Sequence, residues 1–223
     1  GAGGAVMLLT CAFTALRFTV QTRQGAERNL DGKVLGSIPY EKKRISVREF
    51  FRGKKKSLLL SHATISMGFT ENVRKVASRL LHSMRRRGQR VLLLASVAEN
   101  EGKSSVAANL AIALAEKGRR VLLIDCDLKK PAQFRIFERP AGMKGWLGDY
   151  LKGGCEANDV VSYHERERIY TIFQNSRLEN SAELLSSERM KRLLEDCREL
   201  TDYIILDTPP ISACSDAELL LGF

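Results

Sequence analysis

The sequence predicts an α/β fold with a mainly parallel, helix-flanked sheet, and three observations carry that prediction. RVLLLAS from Arg90, RVLLIDCD from Arg120 and DYIILDTPP from Asp202 are continuous apolar runs, as parallel strands buried on both faces require. Between the first two lies VAANLAIALAEKG, whose Ala and Leu spacing and closing Gly118 describe a packed helix with a C-terminal stop. Each run then ends in polar or acidic residues, at the strand ends where open α/β sheets bind ligands.

A chain of 223 residues, 44% apolar and 28% charged, can bury one sizeable core, which excludes collagenous, disordered and disulfide-scaffold classes. Its 36 Lys and Arg against 26 Asp and Glu give a net charge of +10, compatible with nucleic acid, an anionic membrane face or phosphorylated ligands. The cysteines (Cys11, Cys126, Cys155, Cys197, Cys214) are odd in number and contain no CxxC pair, while His62, His82 and His164 stand singly. Neither a disulfide framework nor a zinc site follows; a reducing compartment, buried thiols and ordinary surface histidines do.

Taken in chain order, residues 1–16, GAGGAVMLLTCAFTAL, carry no charge and are followed by Arg17, Arg23 and Arg28. The run is short of the ~20 apolar residues of a membrane span and lacks a signal peptide's cationic start. Residues 1–20 are therefore expected to be the end of a transmembrane helix whose cationic side is cytoplasmic. Residues 21–57 read as a juxtamembrane linker that contains the apolar VLGSIP and then a basic stretch. In that stretch Lys42, Lys43, Arg44, Arg48, Arg52, Lys54, Lys55 and Lys56 face only Glu41 and Glu49, a cluster that suits an anionic membrane surface. Only Phe50 and Phe51 interleave it, so a nucleic-acid partner is not expected.

Residues 58–223 are expected to form one nucleotide-binding unit. Strand, loop, GKS and helix follow one another from Arg90 to Gly118, which is the order of a phosphate-binding loop, or P-loop. Its candidate nucleotide ligands are Ala98, Glu99, Asn100, Glu101, Gly102, Lys103, Ser104 and Ser105. Gly102 lets backbone N–H groups approach a polyphosphate, Lys103 bridges terminal phosphates, and Ser104 reaches a magnesium ion. Val97 stands where the first glycine of GxxxxGK[ST] would be. Asp125 and Asp127, two apart, are expected to share a side at the end of the second strand. Asp207, beside Thr208 at the end of the third, suits a carboxylate that holds magnesium through water. A nucleotide and Mg2+ are the expected ligands, with Ser104 and Asp207 on the metal.

These motifs resemble the bacterial tyrosine kinases that accompany capsule and exopolysaccharide export, a branch of the deviant P-loop ATPases that also contains the partition and septum-site ATPases. ASVAENEGKSS is similar to that family's first nucleotide motif, in which the leading glycine is commonly absent. VLLIDCDLKKP resembles its second, with Lys129 where the family usually has Arg, and IILDTPP resembles its third. KGWLGDYLKGG, NSAELLSSERMKRLLEDCRELTDYIILDTPP and VLGSIP are also similar to family segments, so the likeness runs over residues 30–220.

The resemblance implies a P-loop ATPase fold and a protein-tyrosine kinase that phosphorylates itself and other tyrosine-containing proteins. It also implies a role in polysaccharide polymerisation and export, at the cytoplasmic face of the inner membrane. Lys103 and Ser104 would hold the ATP phosphates and magnesium, Asp127 and Asp207 would position the metal, and Asp125 would accept the tyrosine proton. A segment of the export regulator, in the same or another chain, would be the activating partner.

The pattern departs from the family in places. The oligomer motif, Glu-x-x-Arg-x-x-Arg-x-Asn, is here ENVRKVASR, which keeps Glu71 and Arg74 but has Ala77 and Arg79 later, so homo-oligomer assembly stays open. No tyrosine tail appears before Phe223, the five tyrosines (Tyr40, Tyr150, Tyr163, Tyr170, Tyr203) are scattered, and the sheet is expected to lack strands after Asp216. Two other functions fit the same motifs: a partition-type ATPase switch, and a non-catalytic nucleotide-binding scaffold of the export machinery.

Overall fold

The computed structural model describes residues 33–41, 58–62, 65–137 and 143–210. The expected membrane helix, most of the basic linker and the segment after Pro210 lie outside these residues. The chain divides into two compact units, Gly1–Ser37 and Ile38–Phe223. The described part of the first, residues 33–37, carries neither helix nor strand. Among the described residues no helix is long and apolar enough to cross a membrane.

Helix α1 (Met67–Arg86) opens where the Ser66 side chain accepts a hydrogen bond from Phe69 N at 3.2 Å, an N-cap that satisfies one of the free first-turn amides. Phe69, Val73, Ala77, Leu80 and Met84 recur at steps of three and four, so one stripe is buried, against helix α2. Strand β1 (Val91–Leu94) leads through the loop into α2 (Lys103–Ala115). Residues 107–115 of α2 are buried without a break, because the helix lies between α1 and the sheet.

Asn109, fully buried on α2, accepts from Leu60 N and donates to Leu58 O and Ser105 O, which ties the described residues 58–60 to this helix. Gly118, at φ +73°, makes the left-handed turn into strand β2 (Val121–Asp125). Short helices α3 (Gln133–Ile136), α4 (Leu147–Leu151) and α5 (Ala157–Val160) precede a hairpin of strands β3 (Val161–His164) and β4 (Ile169–Ile172). Helices α6 (Ser181–Leu185) and α7 (Glu188–Leu200) then lead to strand β5 (Tyr203–Asp207).

The sheet order is β1-β5-β2-β4-β3, parallel throughout except for the β3–β4 hairpin. The predicted mainly parallel α/β class holds. The β1–α2–β2 crossover leaves a gap that β5 fills, so the three motif-bearing strands lie side by side and all point their C-terminal ends the same way. The β2 and β5 strands are buried at every residue, which explains why both read as unbroken apolar runs.

Two sequence expectations are corrected here. His164 is not a surface histidine: it is 8% exposed, its Nε2 lies 3.0 Å from Thr171 Oγ1, and its ring packs on Phe137 and Phe173. Burial lowers its pKa because the charged imidazolium is poorly solvated there. The tyrosines are not all scattered, since the hairpin pairs Tyr163 with Tyr170 across the strands, ring centroids 4.9 Å apart. Cys126, Cys155 and Cys197 are free thiols, and burial pushes the Cys197 thiol up to about 11.

Candidate nucleotide-binding site

The serine-capped helices α1 and α7 differ from α2 in one respect that matters for phosphate. Gly102 at its N-terminus, φ +84°, offers no side-chain hydrogen bond, and the first turn contains no acidic residue. The free N–H groups and the positive end of the helix dipole are thus left for an anion. The preceding loop reaches that position through a second left-handed residue, Asn100 at φ +62°, a conformation asparagine tolerates better than most residues. Val97 N and Ala98 N both donate to one Glu101 carboxylate oxygen, at 3.1 and 3.2 Å, so the loop is braced from within despite the missing first glycine.

A cavity of about 530 Å³ opens at this end of the sheet. Its walls include Ser96, loop residues 99–105, Asp127, Lys129, Lys130 and Arg177, with apolar surface from Ile136, Pro209 and Pro210. Of the sequence-predicted ligands, Glu99, Asn100, Glu101, Gly102, Lys103, Ser104 and Ser105 line it, and Ala98 does not. The mouth is crossed by an ion pair between Lys130 and Glu99, 2.6 Å apart.

Lys103 turns inward. Its side chain, 8% exposed, pairs with Asp207 and lies 4.0 Å from Asp127. Asp207 is fully buried, and its other oxygen accepts from Gln133 Nε2 at 2.7 Å. The same amide donates to Ser104 O at 3.0 Å, so Gln133 fastens the start of α2 to the end of β5. Sequence reading passed over Gln133 because no motif contains it. Lys130 and Arg177 were likewise invisible as cavity residues, being exposed cations that only the fold sets at the cavity's edge.

Asp125 and Asp127 do not share one wall. Asp127 lines the cavity, whereas Asp125 does not. Fully buried at the end of β2, Asp125 lies beside Asp207 in the strand register. Its carboxylate accepts from Ala132 N at 3.0 Å, Gln133 N at 2.9 Å and, more weakly, Asp127 N at 3.3 Å, and so shapes the loop that follows. The period-two argument failed because β2 ends at Asp125 and the chain leaves the pleat before Asp127. Burial and the charge of Asp207 push the Asp125 pKa well above the usual carboxylate range, against the pull of the Gln133 and Ala132 amides. Burial also raises Asp127, against the Lys130 amide and Lys103.

Two enclosed carboxylates, Asp127 and Asp207, around one ammonium leave negative charge uncompensated, and they are hard oxygen donors, which suits a divalent cation such as Mg2+. Gln133 Oε1 adds a buried acceptor with no hydrogen-bond partner, as the edge of a hydrated ion would fill. Among the described residues no three acidic, His or Cys side chains form a complete metal cage. A magnesium ion held by few carboxylates together with phosphate oxygens and water needs none.

A family described as AAA domain matches residues 89–220, the β1-to-β5 region that builds this cavity and the segment after it. The chain belongs to that family. Within it, this AAA domain is similar to bacterial tyrosine kinases. It is 32% identical over 131 residues to tyrosine-protein kinase CpsD of Streptococcus agalactiae, an alignment that covers 59% of this chain and 57% of the relative. It is 35% identical over 153 residues to tyrosine-protein kinase YwqD of Bacillus subtilis, covering 68% of this chain and 63% of that one. The chain thus spans little more than half the length of the first of these relatives. The structure superposes on the kinase domain of Escherichia coli tyrosine kinase ETK with TM-score 0.77 and 26% identity, over 91% of this chain and 78% of that one. The resemblance to bacterial tyrosine kinases and the P-loop α/β fold drawn from the motifs both hold.

Proposed function

We propose that this chain is the ATP-binding domain of a protein-tyrosine kinase that phosphorylates itself and other proteins and acts in capsular or exopolysaccharide polymerisation and export. The observation that carries the reading is the convergence of the uncapped α2 N-terminus, Lys103 and Asp127 on one cavity at the strand ends, with Asp207 enclosed behind Lys103 as its counter-charge. The nature of the acceptor is supported by the relatives, which are named tyrosine-protein kinases.

Phosphoryl transfer asks a protein for position and charge compensation more than for covalent chemistry. Loop amides and the α2 N-terminus receive phosphate oxygens, Lys103 swings from Asp207 towards the terminal phosphates, and Lys129, Lys130 and Arg177 supply further positive charge at the rim. Ser104, Asp127 and Asp207 would hold Mg2+, which supplies charge neutralisation on the phosphates when bound. The tyrosine oxygen forms its bond to the γ-phosphorus as the bond to the bridging oxygen breaks, ADP leaves, and the phenolic proton passes to a carboxylate. The likeness to the tyrosine-kinase family assigns that proton to Asp125, at the end of β2 beside Asp207. The assignment requires the Ala132–Gln133 amides to release it, because it does not line the cavity in this conformation.

The apolar run at residues 1–16 and the cations of residues 42–56 support attachment to an anionic inner-membrane surface. Arg74 of the altered oligomer motif is held by Glu116 of the same chain at 2.8 and 2.9 Å, which weakens the support for its use between subunits.

The test is phosphotyrosine formation by the full reading frame in Mg-ATP, with hydrolysis followed in parallel and Lys103→Met as control. Phosphotyrosine lost in the variant is the expected result. Hydrolysis without phosphotyrosine would move the protein to the ATPase-switch class, and nucleotide binding with neither signal would make it a scaffold.

A further inference from the structure

The two tyrosines that the hairpin brings together lie far from the nucleotide cavity, beside a second, smaller one. Tyr163 is 46% and Tyr170 36% exposed, on the edge strand β3 and its neighbour β4. The adjacent cavity, about 170 Å³, lies where α2 ends and β2 begins, and Arg119, Arg120 and Arg168 join the two tyrosines and Gly118 in lining it. One carboxylate is close by: Asp202 pairs with Arg120 at 3.2 Å and accepts from Arg120 N at 2.9 Å. The Arg119 Nε is buried with no hydrogen-bond partner, although an enclosed donor is costly to leave unmade. Arg168 is placed by the hairpin turn at φ +58°, a left-handed position unusual for arginine.

Three arginines, one of them with an orphaned donor, line this cavity together with two exposed phenols, and of the three Arg120 pairs with Asp202. Such a cluster suits an anion with several acceptor oxygens. A phosphoryl group on either phenol supplies one, with a charge of about −1.5 to −2 and three oxygens suited to guanidinium forks.

We propose that Tyr163 and Tyr170 are phosphate acceptors of this kinase and that Arg119, Arg120 and Arg168 hold the phosphate once it is in place. The inference rests on the tyrosine-kinase reading and names an acceptor for it within the chain. In the step, the phenolic oxygen bonds to the γ-phosphorus of ATP, the bond to the bridging oxygen breaks to release ADP, and the phenolic proton goes to the donor site's base. The donor is a second copy. Lys103 begins α2 and the arginine cavity lies beyond its end, so a helix of 13 residues, about 20 Å at 1.5 Å per residue, separates a copy's own hairpin from its own phosphate loop.

The experiment mixes full-length Tyr163→Phe/Tyr170→Phe protein as donor with full-length Lys103→Met protein as acceptor in Mg-ATP. Lys103→Arg serves as acceptor if Lys103→Met does not fold. A Glu-Tyr copolymer in a parallel reaction reports the donor's activity. Trypsin separates the two tyrosines into peptides 153–166 and 169–177, so mass spectrometry assigns the phosphate to one or the other. Phosphate on either peptide of the acceptor is the expected result. Its removal by a tyrosine phosphatase should be about tenfold faster in an acceptor that also carries Arg119→Gln and Arg168→Gln, because the charge-assisted hydrogen bonds are gone. Copolymer phosphorylation with both hairpin peptides unmodified would overturn this inference and leave the kinase reading standing. Absence of phosphotyrosine on copolymer and chain alike would overturn both. Equal phosphatase rates would remove the arginines from the proposal.

Discussion

Replacing Lys103 should cost stability before it costs activity. Its ammonium is the counter-charge of Asp207, which is fully buried, lies next to Asp125 in the register and has Gln133 as its other side-chain partner. Lys103→Met leaves that carboxylate enclosed and unpaired, and breaking one side of a buried pair costs about 3–5 kcal/mol. At about 2–4 °C per kcal/mol for a chain of this size, the melting temperature falls by roughly 6–20 °C. Asp207→Asn is milder, about 1–3 kcal/mol, because Lys103 keeps Asp127 at 4.0 Å and the amide can still meet Gln133. In the double variant the stranded charge is gone, so its cost should fall short of the sum by about 2–3 kcal/mol, the upper range for contacting residues. Urea unfolding of the four proteins, without nucleotide and with divalent ions chelated, measures this coupling. Added Mg2+ should recover more stability in Lys103→Met than in the wild type, through preferential binding to the folded state. Additivity within about 0.5 kcal/mol would refute the claim that Lys103 and Asp207 neutralise each other in the empty site.

Asn100 holds a left-handed conformation in the phosphate loop. Asn100→Gly should preserve nucleotide affinity and melting temperature, whereas Asn100→Val should lose about 1–3 kcal/mol and weaken binding of a fluorescent ATP analogue. His164 has a lowered pKa from burial, so the unfolded chain binds more protons than the folded one below the ordinary value of about 6.5. Stability therefore falls as pH drops through that region, by at most about 1.4 kcal/mol per pH unit, and His164→Gln should flatten the fall between pH 7.5 and 5.5 in denaturant titrations. Asp125 has the opposite sign: its pKa is raised on folding, so its contribution is fully present below the unfolded value and is lost as pH rises through the folded one. Asp125→Asn should remove that loss, keep nucleotide affinity within about threefold and abolish most phosphotyrosine formation. Retained turnover would limit Asp125 to holding the Ala132–Gln133 loop.

The nucleotide site was legible where its chemistry is local. A buried strand, a glycine-turned loop and a helix that starts at Lys103 are consecutive in the chain, so spacing alone revealed the phosphate loop. The unbroken apolar runs at Val121–Asp125 and Tyr203–Asp207 announced parallel strands because both faces of each are covered. Nothing local says that β5 enters between β1 and β2, and that insertion sets Asp207 against Asp125 and brings Lys103 to it. Gln133 became a connector, Arg177 a cavity residue and Asp125 a loop bracket by the same kind of distant packing. The hairpin likewise paired two tyrosines that sequence spacing left apart and set them against arginines from the end of α2. Sequence by itself determined the element types and the loop that meets phosphate, because backbone preference and burial pattern act over neighbouring residues. Tertiary structure decided which charges share an enclosed space, because that depends on strand order, which no single segment encodes.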